Sequence, residues 1–321
     1  MKLLFAGGAD ISVPSLQKCA ENFSVSAVLT HPDTKAGRGK KTKVNPVKAE
    51  AQRLGFPCIE AAAVDDAAAN RVKEFGPDLL VVVAYGRLFP EPFLALFPRG
   101  GINLHPSLLP KYRGPSPATA AVLNGDKVSG ITIQRIASKM DAGDILLQET
   151  VPLADNETTG TLLEKAAGPG AALLVQAIRE WSDGSISPVP QDDSDATYCR
   201  LIRKEDGLID WTADAGRIER MVRAYDPWPR AYTYYNGKKL LILEASGPLA
   251  AAQTAAAGEV SVRREDSGKV MGIDKKEGIL IQTGNGVLAV RRLQLEAKKA
   301  LDWKAFVNGN QQFVGSHLGQ T

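Results

Sequence analysis

An amide and an imidazole stand two residues apart in this sequence, at Asn103 and His105, and a carboxylate follows at Asp141. The apolar run that ends at Pro106 predicts a buried strand, and side chains alternate along a strand, so Asn103 and His105 should share a face. The amide can donate to a developing oxyanion, and the imidazole can move protons near neutral pH. A glycine-containing turn can hold Asp141 near the same site. This set of groups suits acyl chemistry.

Each of these residues also has an ordinary structural interpretation. A histidine beside proline is more often structural, a lone Asn103 would be a satisfied core amide, and a lone Asp141 would be a turn or cap residue. Their joint occurrence with the irregular loop Leu108–Pro115 favours catalysis. Metal is not expected, since no ligand spacing connects the three histidines, His31, His105 and His317. No cysteine or serine lies in a recognisable nucleophile motif.

The first half of the chain alternates short apolar runs with amphipathic segments. Strands are predicted at Lys2–Ala6, Val25–Thr30, Leu79–Ala84, Gly101–Leu104, Gly130–Ile136 and Ile145–Val151. Helices are predicted at Pro14–Glu21, Pro46–Leu54, Asp66–Phe75, Pro90–Phe97, Pro117–Leu123 and Thr158–Trp181. This alternation predicts an α/β fold, with a Rossmann-like, mostly parallel sheet and helices on both faces. In such sheets reacting groups gather at the carboxyl ends of the strands.

The pattern changes after an irregular segment, Ser182–Glu205, which reads as a linker. Short alternating runs follow, at Gly207–Trp211, Arg230–Tyr235, Lys239–Ala245, Gly258–Arg263, Gly278–Thr283 and Val287–Gln294. Short strands divided by turn signals predict a small β-barrel. We therefore expect a domain over residues 1–187, a linker over 188–206 and a β-barrel domain over 207–321.

Composition is ordinary for a globular protein, with 44% apolar and 23% charged residues among 321. We expect neither a signal peptide nor a membrane span. The three cysteines (Cys19, Cys58 and Cys199) are far apart, which predicts a reducing, cytoplasmic compartment. The net charge of +3 is unevenly distributed along the chain, because the segment from His31 to Arg53 contains seven basic residues and only two acidic ones. That patch predicts contact with a polyanion.

The segment from Asn103 to Gly114, together with Gly130–Thr132 and Asp141–Asp144, resembles the formyltransferases that use 10-formyltetrahydrofolate. This superfamily acts on glycinamide ribonucleotide, UDP-sugars or methionyl-tRNA. The resemblance implies that Asn103, His105 and Asp141 form the catalytic set. It also implies a pterin pocket and no metal. The expected folate-binding residues are Tyr85, Gly86, Leu88, Ser107, Pro110, Asp141 and Asp144. Without the resemblance, Tyr85-Gly86 would be an ordinary strand-to-helix turn.

Three features point to the methionyl-tRNA branch of this family. The basic segment His31–Lys41 is similar to an insertion loop that contacts the acceptor stem. The segments Lys204–Trp211 and Val222–Pro229 look like domain-junction motifs, and the β-rich tail looks like an OB-fold that binds tRNA. The resemblance implies an enzyme that formylates the α-amine of methionine on initiator tRNA for translation initiation. It also implies a monomer with no membrane partner. The expected tRNA-binding residues are Arg38, Lys40, Lys41 and Lys43.

The sequence departs from the family pattern at several pocket positions. Ala6–Asp10 replaces a Gly-Thr-Pro turn, and Ala120 replaces a common Trp. Gln134 and Ala137 stand where an apolar and an acidic residue are usual. Three rival functions remain: formylation of a sugar nucleotide, hydrolysis of formyl-folate, and RNA binding by a degenerate enzyme domain. The basic loop and tail argue against the first, and the intact catalytic set argues against the last.

Overall fold

The computed structural model describes residues 1–36, 41–249 and 266–319. These residues form two compact units. The N-terminal unit comprises Met1–Ala118, Lys127–Leu153 and Thr161–Leu201. The C-terminal unit comprises Thr119–Asp126, Ala154–Gly160 and Ile202–Thr321. Within the described ranges, no helix has both the length and the apolar character needed to cross a membrane.

A seven-stranded sheet organises the N-terminal unit. Its strands are β1 (Lys2–Gly7), β2 (Ser24–Thr30), β5 (Cys58–Glu60), β6 (Leu79–Val83), β7 (Gly101–His105), β8 (Val128–Arg135) and β9 (Ile145–Pro152). They lie in the order β5-β2-β1-β6-β7-β8-β9, parallel up to β7 and antiparallel at β8 and β9. Every residue of β6 is buried, as expected for a central parallel strand covered on both faces. The predicted Rossmann-like sheet is confirmed.

Six helices accompany this sheet in sequence: α1 (Ser12–Asn22), α2 (Pro46–Leu54), α3 (Asp66–Lys73), α4 (Glu91–Leu94), α5 (Pro117–Asn124) and α6 (Thr159–Asp183). All six were predicted, but α4 is half the expected length. Its segment instead builds an aromatic row of Tyr85, Phe89, Phe93 and Phe97, with successive centroid separations of 5.3, 5.5 and 5.6 Å. The first pair of rings is stacked, and the other two pairs are tilted. This row attaches the loop after β6 to the core.

The C-terminal unit, where short alternating runs predict a small β-barrel, contains a six-stranded antiparallel sheet. Its strands are β10 (Ala231–Tyr235), β11 (Lys238–Ser246), β12 (Val270–Asp274), β13 (Gly278–Gln282), β14 (Val287–Leu295) and β15 (Leu301–Asp302). Two helices, α7 (Ala215–Ala224) and α8 (Trp303–Asn308), also belong to this part of the chain. The sequence did not predict β12, β15, α7 or α8.

One predicted strand in this unit is wrong. Gly207–Trp211 forms no ladder and makes a single bridge, between Leu208 and Tyr232. Ile209 and Trp211 alternate toward the core, so they imitate a strand pattern without strand pairing. Trp211 is held there by its indole, which donates to Thr233 Oγ1 at 3.0 Å. The predicted strand Gly258–Arg263 lies outside the described residues.

Candidate active site

The sheet brings the three predicted catalytic residues together. Strand β7 ends at His105, with Asn103 opposite Gln134 of β8. His105 Nδ1 lies 3.6 Å from Asp141 Oδ1, and its Nε2 lies 2.9 Å from the carbonyl oxygen of Tyr112. A carbonyl can only accept, so Nε2 carries the proton in this contact. The Nδ1 atom, beside the Asp141 carboxylate, is therefore the one free to take up or release a proton.

Asp141 is held in a strained, well-bonded turn. Its φ of 51° lies in the left-handed region. Its Oδ2 accepts from the amide of Gly114 at 2.8 Å, and its Oδ1 accepts from Gln134 Nε2 at 2.9 Å. A Cβ atom at Gly143 would stand 1.7 Å from the carbonyl oxygen of Arg135, so the turn passes too close to β8 for any other residue.

Asn103 differs from its two neighbours in that its amide is unengaged. The side chain is half-buried, and in the part of the chain that the structure describes it makes no hydrogen bond. A donor that stabilises a transition state has to be aimed at the site before the reaction and unoccupied by protein acceptors. Asn103 has no protein acceptor among the described residues, and it lies on the same strand end as His105.

The loop after β7 is fixed mainly by hydrogen bonds to β8 and β9. Ser107 is fully buried, and its hydroxyl donates to the carbonyl oxygen of Lys111 at 2.7 Å. Thr132 Oγ1 donates to the Ser107 carbonyl at 2.6 Å, and Gln148 Nε2 donates to the Leu109 carbonyl at 2.8 Å. In this structure the Ser107 hydroxyl therefore orders the loop.

The loop after β7, which we call the catalytic loop, also forms hydrogen bonds with a segment of the predicted linker. The Arg113 amide donates to the Thr197 carbonyl at 2.9 Å, and the Cys199 amide returns a bond to the Arg113 carbonyl at 2.8 Å. The Thr197 amide donates to Pro110 at 3.2 Å. A Cβ atom at Gly114 would stand 2.2 Å from the Cys199 carbonyl oxygen, which shows how closely the two backbones approach.

The buried side chain of Arg113 also connects the catalytic loop to this segment. The side chain is only 1% exposed. Its Nη1 lies 2.8 Å from Asp193 Oδ1 and 3.2 Å from the Tyr198 hydroxyl, and its Nε donates to Gln191 Oε1 at 3.0 Å. Sequence reasoning missed all of these partners, which are about 80 positions away along the chain. The only available signal was a basic residue inside a Pro- and Gly-rich loop.

The expected folate loop starts at the same edge of the sheet. It follows β6, whose Val83 pairs with Leu104 of β7. Tyr85 is buried, and its ring stacks on His31 at a centroid distance of 4.5 Å. Burial raises the pKa of the Tyr85 hydroxyl to about 12. Gly86 is exposed and Leu88 is 68% exposed, so this loop presents backbone and apolar surface to solvent.

Two of the expected tRNA-binding residues, Lys41 and Lys43, belong to a two-stranded ribbon. Its strands are β3 (Thr34–Ala36) and β4 (Lys41–Lys43), paired antiparallel. Arg38 and Lys40 lie outside the described residues, as do the side chains of Lys41 and Lys43. At the base of the ribbon, Asp33 accepts from the Asn45 amide at 2.9 Å and from Lys48 Nζ at 3.0 Å. These two bonds lower the pKa of Asp33.

The described ranges hold no group of three or more His, Cys, Asp or Glu side chains that could bind a metal. The three cysteines are free thiols. Burial raises the pKa of the Cys19 thiol to about 12, so Cys19 is a packed core residue. Burial also raises the pKa of Cys199, and the nearby Asp141 carboxylate adds to that effect.

Two family models match the chain. Residues 1–178 match the formyl transferase domain, and residues 201–311 match the formyl transferase C-terminal domain. The chain is 42% identical to a methionyl-tRNA formyltransferase of Treponema denticola over 98% of both chains. It is 40% identical to that of Roseiflexus castenholzii over 99% of both.

A solved structure shares the fold. The methionyl-tRNA formyltransferase from Clostridium thermocellum superposes with a TM-score of 0.55 at 18% identity, over 77% of this chain and 93% of the other. Identity of about 40% across nearly the whole chain, with both domain models matched in order, establishes the relationship. The chain belongs to the methionyl-tRNA formyltransferase family.

Proposed function

We propose that this chain transfers a formyl group from 10-formyltetrahydrofolate to the α-amine of methionine carried on initiator tRNA. One observation carries the proposal: an unengaged amide, Asn103, and an imidazole–carboxylate pair, His105 and Asp141, meet at the carboxyl end of β7. These are the donor and the proton carrier that formyl transfer needs. The acceptor is inferred from the relatives, which are methionyl-tRNA formyltransferases and match this chain over nearly their whole length.

In the proposed reaction the methionyl amine attacks the formyl carbon, forming a new C–N bond and a tetrahedral intermediate with charge on the formyl oxygen. Asn103 donates to that oxygen, a contact of a kind that is worth about a hundred- to a thousand-fold in rate. His105 Nδ1 accepts the proton that the amine loses, and Asp141 supports the resulting imidazolium. The bond between the formyl carbon and the folate N10 then breaks, and His105 returns the proton to N10.

The folate is proposed to bind between the loop after β6 and the Asp141–Asp144 turn. A flat ring with polar edges suits backbone donors and acceptors beside an apolar surface. Gly86 and Leu88 offer exposed backbone and apolar contact, and Tyr85 anchors their loop. Ser107 and Pro110 shape the neighbouring loop. Asp144, whose carboxylate lies 3.4 Å from Arg135 Nη1, borders the opposite side. The proposed reaction requires no metal.

The tRNA is proposed to bind along the β3–β4 ribbon and the C-terminal unit. Arg38, Lys40, Lys41 and Lys43 supply the charge for phosphate contacts. Lys48 is less available for this role, because it pairs with Asp33 and with Glu60 at 3.1 Å. We further propose that the protein acts as a monomer in the cytoplasm, where its product would enter translation initiation.

One assay separates this function from its rivals. Purified protein and 10-formyltetrahydrofolate are incubated in parallel with methionyl initiator tRNA, uncharged tRNA, UDP-4-amino-arabinose or buffer alone. The proposal expects formyl-methionine only with the charged tRNA. Formylation of the amino sugar would identify a sugar-nucleotide enzyme, and formate release in buffer would identify a hydrolase. Binding of tRNA without any transfer would identify an RNA-binding protein.

A further inference from the structure

We propose that Gln134 and Gln191 form an amide pair that positions Asp141 and thereby sets the pH range in which His105 carries a proton. The inference rests on the proposed function for its kinetic readout, but one of its tests needs no activity. Neither residue touches the reacting atoms as described above, so both are positioning residues. Gln134 stands where the family resemblance leads one to expect an apolar side chain.

Gln134 acts on the carboxylate. It lies on β8, is only 2% exposed, and donates through Nε2 to Asp141 Oδ1 at 2.9 Å. The same oxygen is the one nearest His105 Nδ1, at 3.6 Å, which is beyond hydrogen-bonding distance. The amide therefore occupies the oxygen that the imidazole would otherwise bind, and it compensates part of the charge that would hold the imidazolium.

Gln191 acts on the backbone of the same turn. Its Nε2 lies 2.9 Å from the Asp141 carbonyl oxygen, 2.7 Å from the Gly143 carbonyl oxygen and 3.3 Å from Gln134 Oε1. Its Oε1 accepts from Arg113 Nε at 3.0 Å. One side chain thus ties the Asp141 turn to the catalytic loop and to Gln134. A positive φ at Asp141 needs such support, because it is unfavourable for a residue with a side chain.

The other charged or titratable groups in this neighbourhood are few among the described residues. His105 comes from β7, and the Cys199 thiol comes from the segment bonded to the catalytic loop. The guanidinium of Arg113 is directed at Asp193, and Asp144 pairs with Arg135. Gln134 is an uncharged side chain that donates to the Asp141 carboxylate, so changing it should alter the His105–Asp141 pair without adding a charge.

The first experiment follows the imidazole itself. NMR titration of the ring protons is simple here because the chain has three histidines, and a His105→Ala sample assigns the signal. Gln134→Met keeps the volume but removes the donor, which leaves Asp141 Oδ1 to the imidazolium. The His105 titration midpoint should rise by roughly one to two pH units, the size expected for one lost bond to a charged group. Gln282→Met, which removes another buried strand glutamine (2% exposed), should leave it unchanged.

The second experiment measures formyl transfer to methionyl-tRNA. If His105 acts as a base, the acid limb of the Gln134→Met rate profile should move to higher pH by the same amount. Gln191→Leu removes the two bonds to the turn, so turnover should fall roughly tenfold while KM for the folate stays within about twofold. Gln282→Met is again the control, and thermal unfolding confirms that each variant is folded.

The outcomes separate this inference from the proposed function. If the wild type transfers no formyl group to methionyl-tRNA, the proposed function fails, while the NMR midpoint still decides the role of Gln134. An unmoved His105 midpoint in folded Gln134→Met overturns that role. Normal turnover in folded Gln191→Leu overturns the role of Gln191. A shift in Gln134→Met with slower turnover in Gln191→Leu supports both.

Discussion

The two loops expected to hold the folate are built in opposite ways. The Asp141 turn is bonded from several directions, by Gly114, Gln134 and Gln191. The loop after β6 is anchored through Tyr85 and Phe89, yet its middle, Gly86–Leu88, is exposed. The difference suggests a division of labour. A group that must meet a transition state needs a fixed geometry, whereas a surface that admits a ring needs accessible backbone and apolar area.

We expect the largest effect from a substitution at the rigid side of the site, around His105 and Asp141. His105→Ala removes the proposed proton carrier, so turnover should fall by about a hundred-fold or more, with little change in tRNA affinity. His317→Ala, which changes an exposed histidine of the C-terminal unit, should behave as the wild type. Steady-state kinetics of formyl-methionyl-tRNA formation provide the test. A raised KM with normal turnover would show that His105 serves binding instead.

Asp141→Asn should cost nearly as much. Both carboxylate oxygens accept bonds, from Gly114 and from Gln134, so the new NH2 group would face a donor in either orientation. An amide also cannot support an imidazolium as a carboxylate does. We expect turnover to fall about fifty- to a hundred-fold across the pH profile. Asp183→Asn is the matched control. Asp183 also accepts a hydrogen bond from a backbone amide, that of Ser185, but it is distant in sequence from Asp141. Near-normal activity would reduce Asp141 to a turn residue.

The exposed loop should respond differently. Leu88→Ala removes apolar surface that the folate is expected to cover, so KM for 10-formyltetrahydrofolate should rise about five- to tenfold with turnover nearly unchanged. Leu201→Ala is the matched control, since Leu201 is 65% exposed against 68% for Leu88. A fall in turnover without a change in KM would contradict the division between the two loops.

We expect the smallest effect from substitutions in the basic segment around the β3–β4 ribbon. Replacing Arg38, Lys40 and Lys41 with alanine should weaken use of charged tRNA and lower its salt slope by about two units, because each lost phosphate contact removes somewhat under one. Folate binding should be unaffected. A Lys18, Arg71 and Lys73 triple alanine variant removes equal charge from exposed positions of the same unit. Equal salt slopes in both variants would make the ribbon a solubility feature.

Local pattern accounts for most of what the sequence predicted. A short run rich in valine, such as Leu79–Val83, is typical of a buried strand, and the spacing of Asn103 and His105 places both on one strand end. Short elements escaped this reasoning. The strand Cys58–Glu60 has three residues, and Ile209 and Trp211 alternate without pairing. In these places tertiary contacts, not periodicity, decide the structure.

The polar network around Asp141 was beyond the reach of the sequence for a different reason. Gln134 and Gln191 are 57 positions apart, and Gln191 lies in a segment with no periodicity. A glutamine at a usually apolar position was visible, but its partner was not. Hydrogen bonds between distant loops leave no repeating pattern, so the residues that hold Asp141 became identifiable only once the fold had brought them together.

The role that we propose for Asn103 is to stabilise the transition state of formyl transfer. Its most direct test is the single-turnover rate of Asn103→Ala with 10-formyltetrahydrofolate and methionyl-tRNA both saturating, measured beside their dissociation constants. We predict that the rate of transfer falls by about a hundred-fold or more while both dissociation constants stay within about twofold. An unchanged transfer rate, or a loss explained entirely by weaker binding, would contradict it.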